Sequence, residues 1–159
     1  MTWSATPLPL KEPPGVLGEI IASKVATVGR LQPHRPTRRP DAPRGFSGQL
    51  RGGRAGTPKL IAEIKPKSPS RGHLAAPDHG ALCERATRYD RYAAAISVLC
   101  DEAWFGGSLA LLQAVRSKVS CPVLCKDFIV APAQIALAAS AGADAVLLMA
   151  SVLRAESLR

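Results

Sequence analysis

Apolar residues recur along this chain in two rhythms. In the stretch Gly15–Val28, Leu17, Ile20, Ile21, Val25 and Val28 fall three and four residues apart, which is the spacing of one helix face. From Lys59 onward, short continuous apolar runs take over. KLIAEIK (59–65), AAISVLCD (94–101), PVLCKD (122–127) and ADAVLLMA (143–150) each read as a strand. Helical stretches separate them: residues 80–92, residues 108–118 with Leu109, Leu112 and Val115 on one face, and a segment opening near Pro132. Local signals punctuate this order. Gly106-Gly107-Ser108 turns the chain, and Ser108 is a good helix N-cap. Pro132 suits a first helical turn and Gly142 a helix end. Ser151 begins a last helical turn.

Strands that are apolar on both faces and alternate with helices form parallel β/α units. The short, regular repeat favours a TIM-type barrel or a doubly wound sheet. No G-x-G-x-x-G follows a strand, which weakens the dinucleotide-binding option. The length, 159 residues with 47% hydrophobic positions, suits one domain with a real core. No apolar run approaches the roughly 20 residues of a membrane helix. The start, MTWSATPLPLKEPPG, lacks the pattern of a secretory signal, so a cytoplasmic location is expected.

Charge changes the picture in one place. The net charge is +9, and residues 30–54, with seven Arg against Asp41, carry +6 of it. The segment is also rich in Pro and Gly. A nucleic-acid arm is one reading. With only Phe46 available for base stacking, a solvated surface connection is favoured. Cys83, Cys100, Cys121 and Cys125 form no C-x-x-C pair, so reduced core thiols are favoured over a zinc site or a disulfide framework. His34, His73 and His79 lie in loop-like surroundings without metal-ligand spacing and are assigned no role.

Candidate chemistry gathers at strand ends, where parallel β/α folds build their sites. Glu63 and Lys65 lie two residues apart and so share one face of the first strand, while Ala62 and Ile64 take the other. Two charges on an inner face cost several kcal/mol unless paired or used. A Ser-Pro-Ser-Arg-Gly loop follows them. The second strand ends in Asp101-Glu102 with Trp104-Phe105 beyond, the third in Lys126-Asp127-Phe128, and the fourth presents Leu147 and Met149 on one face. Two lysines and a glutamate at one mouth suit a phosphorylated or carboxylated substrate, and a positioned lysine can serve as general acid. By residue type alone, an ion-pair layer filling the barrel centre explains them equally well. Phe105 and Phe128 could wall a slot for an aromatic ring, although ordinary packing under loops is the commoner use of such residues.

The motifs LIAEIKPKSPSRG, ISVLCDEAWFGGSL, PVLCKDFIVAPAQI and AGADAVLLMASVL, in this order, resemble the indole-3-glycerol-phosphate synthase family of tryptophan biosynthesis. The resemblance runs from about Lys59 to the end of the sequence. It implies a (β/α)8-barrel fold, with residues 1–58 as an N-terminal extension (the amphipathic helix and the Arg/Pro-rich connection) and residues 59–159 as the first half of the barrel. It implies a lyase that converts 1-(2-carboxyphenylamino)-1-deoxyribulose 5-phosphate to indole-3-glycerol phosphate, with loss of CO2 and water and without metal or organic cofactor. By motif, Lys126 is similar to the general acid. Lys65 is similar to the lysine that holds the substrate carboxylate and serves in dehydration, and Glu63 to their acidic partner. Ser68 belongs to the substrate-contacting set, and Phe105, Phe128 and Leu147 resemble the apolar walls around the anthranilate ring.

A barrel of this kind needs about 250 residues. The second catalytic glutamate, the later Asn, the Glu-Ser-Gly run and the glycine-rich phosphate site of the family are absent from these 159 residues. The chain alone is therefore expected to be inactive, with open apolar edges at its first and fourth strands. The alternative reading is a non-catalytic half-barrel that pairs with a complementary half. Expected partners are the phosphorylated substrate and, beyond it, such a half or other tryptophan-pathway enzymes. Related phosphate-binding barrels such as phosphoribosylanthranilate isomerase fit the EIK, SPS and KDF combination less well.

Overall fold

In the computed structural model, the chain is described over residues 3–31, 41–51, 57–68, 72–73 and 78–158. About half of the Arg/Pro-rich connection, His34 included, and residues 69–71 of the Ser-Pro-Ser-Arg-Gly loop lie outside the described residues. The elements run α1 (Gly15–Val28), α2 (Phe46–Arg51), β1 (Ile61–Ile64), β2 (Lys67–Ser68), β3 (Gly72–His73), α3 (His79–Tyr89), β4 (Ala95–Leu99), α4 (Glu102–Phe105), α5 (Leu109–Arg116), β5 (Val123–Lys126), α6 (Pro132–Ser140) and β6 (Ala145–Val146), then a 3-10 turn, Ala155–Leu158.

Four strands form one parallel sheet in the order β1-β4-β5-β6, with β2 and β3 a separate antiparallel ribbon. The register places Glu63 beside Ser97, Ser97 beside Leu124, and Leu124 beside Ala145. Alternation then sorts the faces. Ala62, Ile64, Ile96, Val98, Val123 and Cys125 turn outward, where they are buried in one cluster with Leu82 and Ala86 of α3 and Leu111, Leu112 and Val115 of α5. Glu63, Ser97, Leu124 and Lys126 take the inner face. The parallel four-strand sheet with helices on its outer face is part of a TIM-type barrel.

The strands are shorter than the apolar runs that encode them. β6 covers two residues rather than the eight of 143–150: Leu147 N makes one more bond, to Cys125 O at 3.1 Å, and Leu147 and Met149 then line a cavity at the strand ends. Tyr89 ends α3, and residues 90–92 form a turn held by the Asp90 and Tyr92 amides. His79, expected in a loop, opens α3. The final helical turn begins at Ala155, since Ser151 lies in a turn closed by Met149 O. The ribbon β2–β3 and the short helices α2 and α4 carry too little apolar periodicity to be read in advance.

Caps fall where the sequence places them. Ser108 Oγ accepts from Leu111 N at 3.0 Å, and Pro132 opens α6. Gly142, at φ 96°, closes α6 in the left-handed region that glycine tolerates. Gly107 answers a different constraint, because a Cβ there would sit 1.9 Å from Leu99 O. That close approach lets the chain fold back over the end of β4.

A second buried cluster joins α1 to the strand-end loops: Ile21 and Val28 pack with Val130, Ala131 and Val152. The leading residues run beside the same loops, with Leu8 N donating to Val130 O at 2.8 Å and Lys11 N to Val152 O at 2.7 Å. At the opposite end of the sheet, Arg44 N donates to Asp144 Oδ1 at 2.8 Å and Arg44 Nη1 to Cys121 O at 2.9 Å. The buried Arg116 bonds Gly142 O at 3.0 Å and sits 3.5 Å from Asp144. Arg44, counted in the basic segment, thus fastens residues 41–45 to the starts of β5 and β6.

Candidate active site

Each charged group arrives at the site through strand geometry. Glu63 is the third residue of β1, Lys65 follows the strand, and Lys126 is the last residue of β5. Glu63 lies between the two lysines. Its Oε1 is 2.8 Å from Lys65 Nζ and its Oε2 is 2.5 Å from Lys126 Nζ. Burial alone would push the Glu63 carboxyl up, but hydrogen bonds and charge from Lys126 and Lys65 outweigh it and hold the group below its ordinary value. One carboxylate against two ammonium groups leaves a local excess of positive charge. All three side chains remain partly exposed, so an anion can reach them.

Beside Lys126 lies an apolar cavity of about 160 Å³ lined by Leu99, Phe105, Lys126, Asp127, Phe128, Leu147 and Met149. The Phe105 and Phe128 rings are 6.0 Å apart at 37°. Phe105 is carried by α4, which Asp101 caps by accepting from Trp104 N at 2.7 Å and Gly106 ends at φ 65°. Phe128 is fixed by its neighbours. Its amide donates to Asp127 Oδ1 at 2.8 Å and its carbonyl accepts from Gln134 Nε2 at 2.9 Å. The same Gln134 accepts through Oε1 from Val130 N and Ala131 N.

The structure therefore brings together Glu63, Lys65 and Lys126, and sets Phe105, Phe128 and Leu147 around one cavity with Lys126. Ser68 lies in β2, its backbone opposite Gly72; its side chain lies outside what the structure describes. Among the described residues no group of three or more His, Cys, Asp or Glu could hold a metal ion. The four thiols are free. Burial and then Asp90 push the Cys121 thiol up to about 12.

Reading by residue type missed Lys24. Its Nζ lies 2.7 Å from Asp101 Oδ2 and 2.7 Å from Asp127 Oδ1, and all three side chains are largely buried. Burial lowers the Lys24 affinity for its proton, yet Asp127 and Asp101 leave its pKa raised. Burial pushes Asp127 up more than Lys24 pulls it down. The signal was present: Lys24 sits three residues after Ile21 and four after Ile20, inside the apolar stripe of α1 rather than opposite it.

A parallel β/α sheet with a lysine–carboxylate–lysine cluster and an apolar slot at its strand ends defines a barrel protein of the small-molecule-binding class. Comparison with known proteins supplies the family. The family model for indole-3-glycerol phosphate synthase matches residues 17–159, and the chain belongs to that family. Curated relatives include indole-3-glycerol phosphate synthases of Staphylococcus aureus. Those of strains USA300 and Mu50 are 48% and 47% identical over 105 residues, which is 64% of this chain and 39% of each relative. The chain spans about two fifths of the length of the curated relatives it matches.

Proposed function

We propose that this chain carries the ring-closing portion of an indole-3-glycerol-phosphate synthase, a carboxy-lyase acting on 1-(2-carboxyphenylamino)-1-deoxyribulose 5-phosphate. The observation that carries the reading is Lys126, whose ammonium meets Glu63 at 2.5 Å while its stem lines the apolar slot. An acid fixed at the rim of a ring-sized slot is what this closure requires. The anthranilate ring enters between Phe105, Phe128 and Leu147. Its carboxylate meets Lys65. As the ring carbon attacks the substrate carbonyl, Lys126 protonates the carbonyl oxygen, and a C–C bond forms. Loss of CO2 from that ring carbon returns the electron pair to the ring, the new hydroxyl then leaves as water with a proton from Lys65, and the adjacent methylene carbon gives up a proton to solvent as the indole double bond forms. Glu63 orients both lysines and stabilises the positive charge that develops on the substrate nitrogen. Ser68 contributes to substrate binding.

Residues 1–58 act in this reading as an extension of the barrel that begins at residue 59. The strands flanking β1 and β6 and the phosphate grip come from partner or further sequence, and the site works in the cytoplasm. No described helix is long and apolar enough to cross a membrane.

The test joins this chain to the remaining strands of the Staphylococcus aureus relative and follows indole fluorescence as substrate is added. Turnover that falls at least about 10²-fold in Lys126→Ala is expected, since a positioned acid contributes about 10²–10⁴-fold. Turnover indifferent to Lys126→Ala overturns the assignment. Fluorescence titration of the chain with 2-aminobenzoate tests the slot separately, and binding unaffected by Phe105→Ala and Phe128→Ala overturns that part.

A further inference from the structure

We infer that Lys24 is the positioning residue that sets both aromatic walls of the ring slot from the N-terminal helix. The inference rests on the slot reading above and extends it to a residue that touches neither the cavity nor the lysine–glutamate cluster.

The geometry is a bridge with two arms. On one arm, Lys24 Nζ meets Asp101 Oδ2 at 2.7 Å. The other oxygen of Asp101 accepts from Trp104 N at 2.7 Å, which starts α4 and so places Phe105. On the other arm, Lys24 Nζ meets Asp127 Oδ1 at 2.7 Å. That same oxygen accepts from Phe128 N at 2.8 Å, which places the opposite wall. One ammonium therefore holds the two carboxylates whose remaining bonds orient the two rings. The rings themselves stand 6.0 Å apart.

Burial makes the bridge strict. Exposures of 11% for Lys24, 3% for Asp101 and 14% for Asp127 hold the three groups largely out of bulk solvent. Without Lys24, two carboxylates at adjacent strand ends face each other uncompensated. They relieve that repulsion by turning away, and each turn drags a wall with it: Asp101 releases the first turn of α4, and Asp127 releases the Phe128 amide. A bridge that only fastened α1 to the barrel would not need its anions to accept from backbone amides of the wall-bearing segments, and both do.

The test compares wild type, Lys24→Met and Lys24→Arg by amide hydrogen exchange and by 2-aminobenzoate titration on the whole chain. In Lys24→Met, the Trp104 and Phe128 amides are expected to exchange at least tenfold faster, while the Leu112 and Val123 amides of the sheet–helix core stay within threefold of wild type. The dissociation constant for 2-aminobenzoate rises at least tenfold. Lys24→Arg, which keeps the charge, returns both readouts to within threefold. If Lys24→Met does not fold, Lys24→Gln, which removes the charge but keeps a polar head and leaves both carboxylates uncompensated, is expected to give the same two losses. Trp104 and Phe128 amides that keep their protection, that are unprotected in wild type, or that lose protection only in step with Leu112 and Val123 overturn the inference. A wild-type chain that binds no 2-aminobenzoate counts against the slot reading instead, and the exchange of Trp104 and Phe128 still decides the role of Lys24.

Discussion

Glu63 holds two cations at a half-open strand end, so its protonation is felt directly in stability. Its folded pKa lies below the ordinary value of 4.5. A carboxyl depressed on folding contributes stability that is fully present above its unfolded pKa and is lost as pH falls through the folded one. The window is therefore below about pH 4.5. Because the cluster is partly solvated, the contribution is under about 1 kcal/mol. Urea unfolding between pH 6 and pH 3 is expected to show a smaller acid loss for Glu63→Gln than for wild type, with the two converging at the acid end. Equal slopes through the window would show that the lysines do not act on Glu63. Asp90, also depressed by bonds from Ser120 and Cys121 after burial is overcome, acts in the same direction in both proteins and cancels from the comparison. At this scale the sequence already named Glu63, Lys65 and Lys126, because charged residues in an apolar strand demand a partner. Lys24 could not be paired in advance: its anions are 77 and 103 positions away in the chain.

Elements here are set by caps and close approaches more than by propensity. Ser108→Ala removes the acceptor for Leu111 N and is expected to cost about 1 kcal/mol, seen as a lower urea midpoint with an unchanged slope. Gly107→Ala drives a Cβ into Leu99 O and cannot be accommodated without moving the chain between β4 and α5. A loss above about 2 kcal/mol is expected, together with weaker 2-aminobenzoate binding, because α4 and Phe105 sit on that segment. Unchanged binding in a folded Gly107→Ala would show that the slot does not depend on this turn. Leu112→Ala, at a fully buried position of α5, should cost about 2–5 kcal/mol by chemical unfolding while leaving the Trp104 cap intact. Helices α1, α3, α5 and α6 and strands β1, β4 and β5 were legible from apolar spacing, a capping serine, a proline and a glycine. β6 was legible as a strand but not in its two-residue extent, because the apolar run continues beyond it and only packing decides where the chain leaves the sheet.

As a whole molecule, the described residues form an arc of four parallel strands whose outer face is covered by α3 and α5. Among the described residues β1 pairs only with β4, and β6 only with β5. Leu60, Ile61 and Leu148 lie exposed at those two margins. Such edges offer unpaired backbone groups to another chain. Sedimentation of the purified chain is expected to show concentration-dependent association that a lysine at Ile61 (Ile61→Lys) reduces. A strictly monomeric chain at all concentrations would show that these edges do not pair with another copy.

By itself, the order of residues determined the four strands of the main sheet and the longer helices, that those strands run parallel, and which charges stand at their ends. Those properties follow from local periodicity and from the fixed alternation of a strand. Only the tertiary structure decided that Phe105, Phe128, Leu147 and Lys126 share one cavity, and that a lysine on the first helix grips the carboxylates behind both rings. These contacts join segments far apart in the chain, and their distances are set by the register of the parallel strands and by the packing of α1 across their ends, which no local pattern encodes.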